Sequence, residues 1–125
     1  MESSFWNSKR APGVKDQLDT CGFESATEVV EAAFKKYADR NAFTGIGHTL
    51  SFKQIDDYSG AFASYLQNHT NLKPGDTIAI QMPNVLHYPI AMYGAILCRF
   101  RVTNVTPLYT DRQLIHKFHV HTSYS

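Results

Sequence analysis

The sequence predicts an α/β fold, a short mixed or parallel sheet flanked by helices. Two observations carry this. After the first helix the pattern runs hairpin, helix, strand, helix, strand, helix, an alternation that argues for a sheet covered by helices. Turn signals, Pro74-Gly75 and Pro83-Asn84, fall where one period gives way to the next.

Each element has a local reason. Residues 1–24 show no clear period and read as a surface arm, with Phe5, Trp6 and Phe23 as its anchors. "SATEVVEAAFKKYADR" is a helix over about 27–39, capped by Ser25 or Thr27, with Glu28 and Glu31 at the positive end of its dipole. Val30, Ala33, Phe34 and Tyr37 fall at i, i+3, i+4, i+7 and define its buried stripe. "NAFTGIGHTLSF" reads as a hairpin, 42–46 and 49–52, turning at Gly47-His48. "SFKQ" is a capping box, with Ser51 at the N-cap and Gln54 three residues on. The helix that follows runs to about Asn68 and buries Ile55, Tyr58, Phe62, Tyr65 and Leu66. Gly60 within it offers a place for another backbone to approach closely.

A strand over 77–82 stops at Pro83-Asn84. A helix follows with Pro89 in its first turn, where a missing N–H does little harm. "RVTNV" is the next strand, "PLYT" turns the chain, and "TDRQLIHKF" opens a last helix. Thr110 with Gln113 makes a second capping box, and Asp111 suits the first helical position.

The bulk numbers limit the function classes. The chain has 125 residues, 43% hydrophobic and 18% charged, as in an ordinary globular domain or part of one. A net charge of +1 gives no support to nucleic-acid binding. Cys21 and Cys98 form no Cys-x-x-Cys motif, and the N-terminus lacks a secretory stretch, so the reading is cytoplasmic. The most apolar run, "YPIAMYGAILC", is too short to span a membrane and reads as a buried helix.

Motifs are few. No glycine-rich phosphate cradle of either common form is present, and no G-x-S-x-G. His116 and His119 can share a helix face but have no nearby cysteine or carboxylate, so they read as solvated. Asn104 to Tyr109 is the most specialised stretch. Pro107 fixes its own φ and favours an extended Thr106. On residues alone it is a tight strand-to-helix joint.

The run 49–118, "TLSFKQIDDYSG…" through "LKPGDTIAIQMPN" and "YPIAMYGAILC" to "TNVTPLYTDRQLIHKF", resembles the N-terminal segment of AMP-forming acyl-CoA synthetases. Within that adenylate-forming family it is most similar to bacterial long-chain fatty-acid–CoA ligases. The helix ending near "YADRNAF" extends the likeness back to residue 26. Thr106, Asp111 and Gln113 stand where Asn, Pro and Glu are usual in the family.

The resemblance implies a partial AMP-binding domain over 25–118, preceded by the arm 1–24. It implies the ATP-dependent activation of a long-chain fatty acid through an acyl-adenylate to acyl-CoA. Fatty acid and CoA would be substrates, ATP and Mg²⁺ the cofactors of the full-length enzyme, and peripheral contact with the inner membrane a family trait. The family's phosphate loop, adenine contact, ribose aspartate and mobile-domain lysine have no counterpart in these 125 residues. The chain alone is therefore expected to bind no cofactor and to be inactive. No catalytic, cofactor or metal role transfers to a numbered residue; a scaffold role transfers to Asn104, Pro107, Tyr109 and Thr110. The likeness fails after Phe118, and 119–125 reads as a foreign tail left by truncation, frameshift or gene misprediction. Strands of such a piece would look for partners in the remaining sequence. The alternative is a small stand-alone, non-catalytic binding or interaction domain derived from the same fold.

Overall fold

The computed structural model describes residue 9, residues 11–14 and residues 22–122. Most of the expected arm, with Phe5 and Trp6, lies outside the described residues, as do residues 123–125 of the tail; Phe23 is half-buried.

Helix α1 spans Ala26–Lys36. Ser25, in extended conformation, caps it by accepting the Glu28 N–H at 3.2 Å. The helix stops short of residue 39 because Tyr37 leaves helical geometry at φ −116°. Its stripe is the expected one, with Phe34 buried and Val30, Ala33 and Tyr37 half-buried. Phe34 meets Tyr93 edge-on at 5.1 Å and Phe52 at 6.3 Å, which ties α1 to two later helices.

Strands β1 (Asn41–Gly45) and β2 (His48–Ser51) form the antiparallel hairpin. The turn sits on Ile46-Gly47, one residue before the expected Gly47-His48. Both turn residues have positive φ, 49° and 76°, the requirement of a two-residue turn matched to strand twist. His48 is thereby released into β2.

Helix α2 spans Phe52–His69. Both halves of its capping box are formed: Ser51 Oγ accepts from Gln54 N–H at 3.2 Å, and Ser51 N–H donates to Gln54 Oε1 at 2.9 Å. Ser51→Ala removes one half and leaves a helix-end donor unsatisfied. It is expected to cost about 1 kcal/mol in a urea unfolding titration.

The buried stripe of α2 differs from expectation. Ile55, Ser59, Ala63 and Leu66 are buried, Phe62 is half-buried, and Tyr58 and Tyr65 are exposed at 49% and 56%. The reason is helix α3 (His87–Leu97), which presents Ala91, Gly94 and Ala95 to the interior. Two helices meeting through small residues approach too closely for tyrosine, so the aromatic rings rotate outwards. The close approach expected at Gly60 occurs instead at Gly94. A Cβ there would lie 2.8 Å from Phe62 Cδ1 and 2.9 Å from Ser59 O, whereas Gly60 faces open space.

Strand β3 (Thr77–Gln81) and strand β4 (Arg101–Val105) pair in parallel, Thr77 opposite Arg101 through Gln81 opposite Val105. α3 connects them and packs on both. Ala63, Leu66, Ala95, Cys98 and Phe100 form the main core, with Ile78 and Val102 against it. The hairpin and the parallel pair are separate two-stranded sheets rather than one mixed sheet. Helix α4 spans Asp111–Thr122.

Candidate functional site

β3 and β4 run side by side and each ends two residues before a proline. Extending the register by two places Pro83 opposite Pro107, so both chains leave the sheet together. Their departure opens a cleft of about 710 Å³ beyond the carboxyl ends of the strands. In open α/β sheets that is where ligands bind.

Ile80, Met82, Pro83, Val105, Pro107 and Leu108 give the cleft apolar walls. Asn84, Tyr88, Asn104, Thr106 and Tyr109 supply its polar atoms. The Tyr88 hydroxyl donates to Asn104 Oδ1 at 3.0 Å, so the first turn of α3 orients a side chain at the end of β4. The Asn104 amide nitrogen then remains as a donor. Thr106 organises the turn: its carbonyl accepts from Tyr109 N–H at 3.3 Å, and its hydroxyl accepts from Leu108 N–H at 3.4 Å.

Of the scaffold residues expected from sequence, Asn104, Pro107 and Tyr109 line the cleft, while Thr110 stands behind it at the start of α4. The second capping box forms in part. Thr110 N–H donates to Gln113 Oε1 at 2.9 Å, but the Thr110 hydroxyl also turns onto that oxygen, at 3.1 Å. Met82 and Tyr88 carry no site signal in the sequence, and Pro83-Asn84 reads there only as a strand stop. The repeated spacing from strand end to proline was the signal that pairs 80–84 with 104–109.

None of the lining residues is charged, and no nucleophile sits beside a base. The cleft can enclose a neutral group and orient it with its hydroxyl and amide groups. Among the described residues no cluster of three or more His, Cys, Asp or Glu side chains could hold a metal ion. No helix among them is long and apolar enough to cross a membrane.

The strongly buried thiol lies elsewhere. Cys98 is free, buried in the main core, with its Sγ 3.5 Å from the Ala63 carbonyl. Burial pushes its pKa up, against a smaller opposite pull from the Gln67 side chain. The folded thiol thus keeps its proton to higher pH than the unfolded one. Its contribution to stability is whole below about pH 8.5, the ordinary thiol value, and is lost as pH rises towards the folded value. In a Cys21→Ser chain, iodoacetamide should alkylate native Cys98 far more slowly than the denatured thiol, with the rate rising at higher pH. Equal native and denatured profiles would contradict the burial.

The fold and cleft together define an α/β unit whose parallel strands end at an open cleft. More narrowly, the chain belongs to the AMP-binding enzyme family, which it matches over residues 30–121. It is similar to a long-chain-fatty-acid–CoA ligase of Salmonella typhimurium, 38% identical over 112 residues, covering 90% of this chain and 20% of that protein. The chain therefore spans about a fifth of the length of the curated relatives it matches. Among solved structures, the luciferase-like enzyme of Zophobas morio superposes with a TM-score of 0.77 at 19% identity, over 85% of this chain and 26% of that one. The fatty acid AMP ligase of Legionella pneumophila gives 0.67 at 20% identity, over 85% and 19%. At these identities the structures speak to the fold alone.

Proposed function

We propose that this chain is the opening scaffold segment of a long-chain fatty-acid–CoA ligase. The observation that carries the reading is 38% identity across 90% of the chain to a protein of that name. In the reaction, a fatty-acid carboxylate attacks the α-phosphate of ATP and releases pyrophosphate. The CoA thiol then displaces AMP from the acyl-adenylate. Catalysis of this kind rests on positioning and on stabilising developing charge.

The cleft beyond β3 and β4 does not fit the charged participants. It offers no lysine or arginine to a triphosphate and no carboxylate to Mg²⁺. Charge stabilisation would be the work of the remaining four-fifths of such an enzyme. This segment supplies the paired strands and the joint at Asn104–Thr110 on which that machinery is mounted. The 125-residue chain alone is expected to be inactive, and the whole enzyme to act in the cytoplasm or at the inner face of the membrane.

The test is a chimera in which residues 26–118 replace the aligned segment of the Salmonella ligase. Long-chain acyl-CoA synthesis within about tenfold of the parent supports the reading. A folded, soluble chimera without acyl-dependent ATP–pyrophosphate exchange would sink it.

A further inference from the structure

We infer that the β1–β2 hairpin, led by Ile46 at its tip, is a lipid-docking surface that enters the headgroup boundary of a membrane. The inference gives a place on the chain to the membrane contact that accompanies the ligase reading, and vesicle binding tests it without any ligase assay.

Ile46 is anomalous twice. It holds a φ of 49° in the two-residue turn, a left-handed conformation that suits asparagine or glycine and strains a β-branched side chain. It is also 83% exposed. An exposed isoleucine alone would mean little. One that strains its backbone and is left in water gives the folded chain nothing in return. Strain of that kind points to a contact made outside the chain.

The surroundings of the tip say what kind of contact. Residues 41–52 contain no Asp, Glu, Lys or Arg, and neither do residues 77–98, in a chain that is 18% charged. The two stretches meet at Gly45, where a Cβ would lie 3.5 Å from Leu86 Cγ. Phe43 lies 6.3 Å from the Tyr93 ring, so the hairpin is held against α3 and its tip is fixed in place. Below the tip the Thr44 and Thr49 hydroxyls satisfy each other across the register, 2.8 Å apart. The tip can therefore leave water without stranding a charge or a hydroxyl. His48, the one ionisable side chain of the hairpin, can keep its polar edge at the headgroup level. A two-residue turn this exposed is convex, and a fluid lipid boundary moulds to a convex tip where a flat protein surface would not enclose it. One apolar side chain entering that boundary gives weak, reversible binding.

Co-sedimentation of the 125-residue chain with phosphatidylcholine vesicles tests this. Binding should be nearly equal in low and high salt, because no formal charge takes part. Ile46→Asn should lower the partition coefficient about tenfold or more. The same change should raise the midpoint of urea unfolding, since asparagine suits the turn. Ile46→Leu should bind as the parent does. A loss of binding in a more stable protein is not misfolding. Equal binding by the parent and Ile46→Asn, or no binding by the parent, would overturn the inference. So would binding that high salt abolishes, which would give the contact to the basic side chains. Loss of acyl-CoA synthesis in an Ile46→Asn chimera, with no vesicle binding by the parent chimera, would set Ile46 against the rest of the ligase instead. Vesicle binding through Ile46 beside an inactive parent chimera would uphold the docking surface and sink the ligase reading.

Discussion

Gly94→Ala is expected to destabilise the chain by about 2 kcal/mol, read as a lowered midpoint of urea unfolding at unchanged slope. The added Cβ would lie 2.9 Å from the Ser59 carbonyl and 2.8 Å from Phe62 Cδ1. The Phe62 ring can swing aside. The carbonyl cannot, because it belongs to α2, so α2 and α3 must separate and open gaps at Ala63 and Ala95. Overpacking of this kind costs about 1–3 kcal/mol, partly offset by the better helix propensity of alanine. Gly60→Ala is the control. Gly60 lies on α2, exposed, with nothing within 4 Å of its would-be Cβ. There the same change should stabilise by about 0.5–1 kcal/mol, since propensity acts alone. Like signs for the two variants would mean that the helices do not cross at Gly94.

That contrast shows what the sequence could and could not reveal. Periodicity and capping are local, and they locate every element among the described residues. The Ser51–Gln54 box and the extended Ser25 cap are readable because partner and donor lie three residues apart. Which glycine marks a helix crossing is not local. It depends on what α3 brings against α2, and "YPIAMYGAILC" reads only as uniformly apolar. The same gap turned Tyr58 and Tyr65 inwards on paper. Large aromatic residues at helical spacing look like a core stripe until the partner helix proves to be lined with alanine and glycine.

The cleft has a similar history. Asn104, Pro107 and Tyr109 stood out because proline and a polar turn residue cluster at a strand end. The facing half, Met82 to Tyr88, is assembled by strand pairing across 24 residues, from Gln81 to Val105. Such a long-range placement leaves no trace in a short window of sequence.

Ile55→Ala should have the larger effect, about 2–5 kcal/mol. Ile55 is fully buried, at 0% exposure, one turn into α2 from its cap. α2 is the hub of the fold: it packs most extensively on α3 and also meets α1 and both hairpin strands. Removing three carbons there forfeits transfer free energy and adds the cost of the cavity left behind. Ile55→Val should cost only about 0.5–1.5 kcal/mol. Tyr58→Ala, three residues on and 49% exposed, should cost less than either Ile55→Ala or a buried aromatic truncation, about 1 kcal/mol. The ordering is the sharp expectation. A tyrosine truncation more damaging than Ile55→Ala would place the ring in the core, rotate α2 about its axis, and remove Ser59 and Ala63 from the contact with α3.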